Sequence, residues 1–226
     1  MRLNLWVYLL TSAAISANLM GCATTEQSRA VETAKPASAT VAFQGVRSPI
    51  SVGKFDNRST FQRGMFSDGV DRLGGQARTI LVGHLQQSGR FSVLDRDNMS
   101  ETRQEAGFNK QAQSIKGASY VVTGDVTEFG RKVTGDRQLF GVLGRGKEQV
   151  AYAKVSINVV KVQTSEVVYA VQGAGEYSLS NREIVGFGST AGYDSTLNGK
   201  VLDLAIREAV DKLAAGIDGG AWRPEQ

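Results

Sequence analysis

Chemistry in this 226-residue chain would have to come from a cysteine, a histidine and a glycine-rich loop. Cys22 is the only cysteine, at the end of Leu19–Met20–Gly21. Behind Arg2, the 16 residues from Leu5 to Met20 are apolar or small and contain no acidic side chain. That is the pattern of a secretory signal, too short and too weakly flanked for a transmembrane helix. A leucine three residues before a cysteine, with a small residue between, resembles a bacterial lipobox. Small residues let the signal peptidase close on the extended chain, and the sulfur receives a diacylglycerol. Cys22 then becomes the lipidated N-terminus. The alternative is a plain secreted chain whose lone thiol stands free in an oxidising compartment, where it is a liability. Each buried methylene of an acyl chain adds roughly 0.8 kcal/mol, so more than one chain anchors stably. Ala23 follows the cysteine where inner-membrane retention uses aspartate, which favours the outer membrane, with the folded part facing the periplasm.

His84 is the only histidine. It lies in a segment where Val70, Leu73, Ala77, Ile80, Leu81 and Leu85 recur at helical spacing, and it reads as a helix-surface or interface residue. No second histidine or carboxylate constellation offers a metal site. The loop Gly141–Glu148, "GVLGRGKE", lacks the Gly-Lys-Ser/Thr ending of a phosphate loop and reads as a hairpin turn. The sequence therefore predicts no catalytic residue, no cofactor and no metal, and the chain is not expected to be an enzyme. Net charge is +4, with no basic run longer than a pair, so nucleic acid is not an expected partner.

The elements that would position these residues follow in order. Residues 1–21 are the signal, 22–48 the lipidated N-terminus and a flexible tether, and 49–226 the folded domain. The stretch from Ala23 to about Ala42 is small and polar and cannot bury enough surface to fold alone. A first strand is expected over about Ile50–Phe55 and a helix over about Asp68–Gln87, ended by Gly89. "RFSVLDR" forms a second strand, and a polar helix near Asn98–Ala106 is capped by Asp97. "ASYVVTGDVTEFG" and "QVAYAKVSINVVKVQTSEVVYAVQGAGEYSL" read as long strands, with a turn at Gln163–Ser165. A last amphipathic helix is capped by Asn198, carries the stripe Leu202, Ala205, Ile206, Ala209 and Leu213, and ends at Gly216. The fold class is α+β: a mixed sheet with flanking helices.

The series "ISVGKFDN", "LVGHLQQSGRFSVLDR", "GASYVVTGDVTEFG", "VSINVVKVQTSEVVYAV" and "GIDGGAW", from about Ile50 to Trp222, resembles the CsgG/HfaB family of outer-membrane lipoproteins, which includes the curli secretion channel. The resemblance implies a periplasmic α/β domain. It also implies two long β-hairpins that join an oligomeric transmembrane β-barrel, and a homo-oligomeric ring, nonameric if like the curli channel. Accessory periplasmic proteins and an unfolded polypeptide cargo, of curli-like or adhesin/holdfast kind, are the implied partners. The curli channel narrows at a loop carrying a tyrosine beside an asparagine and a phenylalanine. The corresponding loop here, Arg58–Gly69, has neither; Phe61, Met65 and Phe66 are either an apolar collar in their place or ordinary packing residues.

Two segments have the length of a membrane hairpin, about 22 residues each, against ~9 to 11 per tilted strand. The first is 130–152. The second is 173–195, with a polar turn expected near Asn181–Glu183. In the second, Tyr177 and Leu179 share one face, as do Val185, Phe187 and Tyr193, while Glu176, Ser178, Ser180 and Arg182 share the other; Tyr177, Leu179, Val185, Phe187 and Tyr193 are the expected lipid-facing positions. The first segment is rich in charge, and a charge on a lipid face costs about 2–4 kcal/mol at the midplane. Its charges therefore require a lumen or loop, or else both segments are soluble hairpins in a protein interface. Two functions follow: a subunit of a secretion channel, or a non-pore lipoprotein adaptor or activator of a cell-envelope machine such as peptidoglycan synthesis.

Overall fold

A computed structural model describes residues 33–61, 69–137, 145–183 and 197–224, with backbone only over 133–137, 145–149 and 179–183. The chain divides between Ala34 and Lys35, and the described fold belongs to the second unit. After a 3-10 turn at Ala37–Thr40 come β1 (Ser48–Asn57), α1 (Arg72–Gln87), β2 (Phe91–Leu94), α2 (Met99–Phe108), β3 (Tyr120–Arg137), β4 (Arg145–Lys161), β5 (Val167–Glu183) and α3 (Leu197–Asp218). The strands form one five-stranded mixed sheet in the order β2-β1-β3-β4-β5. β1 runs parallel to β2 and β3, while β3, β4 and β5 are antiparallel neighbours. This is the expected α+β class, with three helices and, among the described residues, an open sheet.

Helices α1 and α3 cover one sheet face. The expected stripe on α3 is buried in full, and Val201, Val210 and Leu197 extend it. On α1, Leu73, Ala77, Leu81 and Leu85 point inward, and each buried leucine contributes roughly 1.5–3 kcal/mol. Opposite them lie Ile50, Val52 and Phe55 of β1 and the alternating Val155, Ile157 and Val159 of β4. α3 sits unusually low on β5, since a Cβ at Gly173 would collide with the Ala205 carbonyl oxygen and one at Gly175 with that of Val201. Trp222 closes one end, its ring centroid 6.1 Å from Phe91, 6.0 Å from Tyr169 and 5.3 Å from Tyr120.

Helix boundaries differ from the sequence expectation where a side chain has a better partner. α1 starts at Arg72, not near Asp68, because Asp71 caps it: one carboxylate oxygen accepts from Gly74 N at 2.8 Å, the other from Asn57 N at 2.6 Å. Asp97 does not cap α2, because it is drawn into an ion pair with Arg78. The N-cap residue is Asn98, which makes no side-chain cap hydrogen bond, and Asp95 holds the approach to the helix by accepting from the amides of Asp97 and Asn98. Arg78 also donates to the carbonyls of Val52 at 2.7 Å and Gly53 at 2.9 Å, beyond the Ser51–Leu94 pair where β2 ends. Asn198 lies inside α3, not at its cap, and accepts from Arg131 Nε at 2.7 Å. Gly216 does not end the helix; it makes room for the Tyr169 ring, and the chain turns only at Gly220, at φ +72°. α2 buries none of its residues.

Candidate functional site

The part of the molecule that stands out from the packed body is the continuation of β3, β4 and β5. β3 and β4 pair from Tyr120–Lys161 to Arg137–Arg145, and β4 pairs with β5 up to Arg145–Glu183. β5 therefore runs straight through Asn181–Glu183, and the polar turn expected there is absent: its backbone groups have strand partners in Arg145, Gly146 and Lys147. The first expected hairpin, 130–152, coincides with the far part of β3–β4.

The register decides which residues stand in each row. Arg131, Ala151 and Tyr177 form one row, followed on the same side of the pleat by Val133–Gln149–Leu179, Gly135–Lys147–Asn181 and Arg137–Arg145–Glu183. The intervening rows are Lys132–Val150–Ser178, Thr134–Glu148–Ser180 and Asp136–Gly146–Arg182. Both sets of rows carry charge, and neither is an unbroken apolar ladder. Tyr177 lies at the base of the extension, half-buried on the α3 side, with Lys200 Nζ 5.2 Å from its ring centroid. Leu179 falls in a backbone-only stretch, and Val185, Phe187 and Tyr193 lie outside the described residues.

Both long edges of this ribbon lack a strand neighbour among the described residues. β1 leaves β3 at Asn57–Val126, where Arg58 N and Ser59 N both donate to Val126 O. On the β5 edge, Ala174 N–H donates to the Glu208 carboxylate and Lys212 Nζ donates to Gln172 O at 2.9 Å. Lys212 and Glu208 also pair with each other at 2.9 Å, one helical turn apart. The carboxylate and ammonium thus occupy the places that the C=O and N–H of a neighbouring strand would take. The Ala174 amide, reinforced by Lys212, holds the Glu208 carboxyl below its ordinary range against a smaller opposing effect of burial.

The loop after β1 begins with Asn57 Oδ1 accepting from Ser59 N and Oγ, and Asn57 Nδ2 donating to Phe61 O at 2.8 Å. Phe61 is half-buried, its ring centroid 4.6 Å from that of Phe129. The fold thus brings Phe61 onto the base of β3, while Met65 and Phe66 lie outside the described residues, as does Cys22.

His84 is not on a helix surface. It is 5 % exposed, wedged between α1 and α3, with Nε2 2.7 Å from Asp203 Oδ1. Its Nδ1 is buried without a hydrogen-bond partner. Among the described residues no group of three or more His, Cys, Asp or Glu is placed to hold a metal. No helix of the described residues is long and apolar enough to cross a membrane. Sequence reasoning missed the Glu208–Lys212 pair, whose signal was only an ordinary i, i+4 spacing of opposite charges.

The family model for the curli production assembly/transport component CsgG matches residues 12–226. A protein of Neisseria meningitidis serogroup B that is named as a lipoprotein, NMB1126/NMB1164, is 64% identical over 218 residues, which is 96% of each chain. Among solved structures, the PelC dodecamer from Paraburkholderia phytofirmans is 17% identical, covering 73% of this chain and 87% of that one, with a TM-score of 0.35. The LpoB C-terminal domain from Salmonella enterica is 18% identical, covering 58% and 85%, with a TM-score of 0.31.

Proposed function

Since this chain belongs to the CsgG family, we propose that it is a non-enzymatic outer-membrane lipoprotein, anchored through Cys22, that assembles into a homo-oligomeric ring and exports unfolded polypeptide. One observation carries the reading: three antiparallel strands continue past the packed body as a ribbon neither of whose long edges, beyond Asn57 on one side and the Glu208–Ala174 contact on the other, meets a strand among the described residues. A ribbon of that kind is completed by strands from elsewhere, and head-to-tail addition of copies closes into a ring when the rotation permits. The charged rows of the ribbon suit a water-filled lumen or the periplasm. In this reading lipid contact falls to the positions around Val185, Phe187 and Tyr193, and Phe61, Met65 and Phe66 narrow the axis. Transport uses no nucleotide and is driven by cargo capture.

The charge present in both sets of rows favours a second reading, in which the ribbon stays in the periplasm and docks a cell-envelope enzyme. Planar-bilayer recording of the detergent-extracted protein separates the two. A channel gives unitary conductance, and Phe61→Ala with Met65→Ala and Phe66→Ala raises it. An adaptor gives none.

A further inference from the structure

Arg90 is the most deeply buried charged residue described, 2 % exposed, yet it belongs to neither the ribbon nor the loop after β1. Its guanidinium grips Asp218 of α3, Nε to Oδ1 at 3.3 Å and Nη2 to Oδ2 at 2.7 Å. The remaining nitrogen, Nη1, donates to the carbonyls of Ser88 at 2.7 Å, Val41 at 3.0 Å and Ser38. The Phe43 ring lies over the guanidinium, 5.4 Å from ring centroid to Cζ. From the other side Asp211 of α3 caps the 3-10 turn, accepting from Ala37 N at 3.0 Å and from Ser38 N and Oγ at 2.9 Å. Residues 37–43, which composition assigns to a free tether, are therefore held on the body by one buried cation and one carboxylate. Residues 37–40 of the turn bury no side chain, so there the hold is polar and directional, while Pro36 just before them is buried.

We propose that this clasp is a mooring for the lipidated arm, fixing both the arm's length and the point where it leaves the body. The proposal rests on acylation of Cys22 and on neither the ring nor the adaptor reading. Counted along the sequence, the 25 residues Ala23–Arg47 separate Cys22 from β1, whereas only the 13 residues Ala23–Lys35 separate it from the clasped segment. A slack coil of 13 residues spans about 20 Å, and the same chain drawn taut about 45 Å. The mooring lies at the end of α3 remote from the ribbon tips. α3 descends as β5 rises, with Gly175 beside Val201, Gly173 beside Ala209 and Tyr169 beside Gly216. Lys212 meets β5 at Gln172, and Glu183 is 11 residues further along, about 36 Å at strand rise. Release of the clasp would lengthen the slack span about 1.4-fold.

The test uses the full-length lipidated protein in phosphatidylethanolamine–phosphatidylglycerol vesicles. Val162, half exposed in the β4–β5 turn, is changed to cysteine and carries a fluorescent donor, with acceptors on the lipids. In the wild type, hydrogen exchange is slow at the amides of Ala37, Ser38, Ala39 and Val41. Asp211→Ala, which leaves the core untouched, speeds exchange there alone. Arg90→Ala with Asp211→Ala lengthens and broadens the donor-to-bilayer distance, by about 1.4-fold in the slack limit. Coil-like exchange of residues 37–41 in the wild type overturns the proposal. So does a donor distance unchanged in the double variant while exchange there rises. Cys22 found unacylated by mass spectrometry removes the arm's purpose, while the exchange pattern still reports separately on the clasp.

Discussion

The Glu208 carboxylate accepts the outward-facing amide of Ala174, so a helix side chain closes the free edge of β5. An unpaired edge is a template for another strand, and native sheets block it with charge or cover. Glu208→Ala combined with Lys212→Ala should therefore raise self-association of the detergent-extracted protein at fixed concentration, read by sedimentation velocity, while the far-ultraviolet circular dichroism stays unchanged.

The same pair gives a pH signature. The Glu208 carboxyl is held below its ordinary value of 4.5, chiefly by the Ala174 amide. A depressed carboxyl contributes stability that is present above its unfolded pKa and is lost as pH falls through the folded one. The difference in denaturation midpoint between wild type and Glu208→Gln should be constant from pH 7 to about 5 and should shrink below pH 4.5. Because the group is 44% exposed, the difference is at most about 1 kcal/mol. A difference that grows on acidification would contradict the assignment.

Between α1 and α3, Asp203 is the only described hydrogen-bond partner of the buried His84 imidazole. Asp203→Ala leaves the imidazole wholly unsatisfied and should cost about 1–3 kcal/mol in urea denaturation, whereas Asp203→Asn, which keeps an acceptor, should recover most of that. Equal losses for the two would place the effect elsewhere.

Two glycines should respond in opposite directions. Gly173→Ala forces α3 off β5 through the Ala205 carbonyl and the Ala209 backbone, and should destabilise by about 1–3 kcal/mol. Gly83, in α1, has open space around its Cβ direction, so Gly83→Ala should stabilise by up to about 1 kcal/mol. Thermal unfolding of the two variants checks both.

Where a pattern is local, the sequence was enough. The stripe from Leu202 to Leu213, the alternation through Val155, Ile157 and Val159, and the turn at Gln163–Ser165 all follow from periodicity and turn chemistry, and the structure contains them. The misreadings share one cause: a partner far away in the chain. Asp97 was free to cap a helix until Arg78, 19 residues earlier, took it. His84 read as a helix-surface or interface residue, and its burial between two helices was not legible because Asp203 lies 119 residues on. Residues 37–43 looked like tether because the arginine that holds them is about 50 residues away. Asn181–Glu183 has the composition of a turn, but pairing with Arg145–Lys147 satisfies its backbone as strand. Gly216 could stop a helix, but packing against Tyr169 gives it another use.

Membrane anchoring is tested at Cys22. Cys22→Ser should leave uncleaved precursor or release the chain to the periplasm, with its loss from the outer-membrane fraction seen by density-gradient separation. Outer-membrane recovery equal to wild type would exclude the lipid as the anchor.

The central claim is that the open ribbon is completed by further copies of this chain. Electron microscopy of the wild-type protein, extracted from outer membranes in mild detergent without crosslinking, tests it most directly. The account predicts closed rings of uniform diameter with a stain-filled centre; isolated compact particles of single-subunit size, from a preparation in which Cys22 carries its acyl chains, would contradict it.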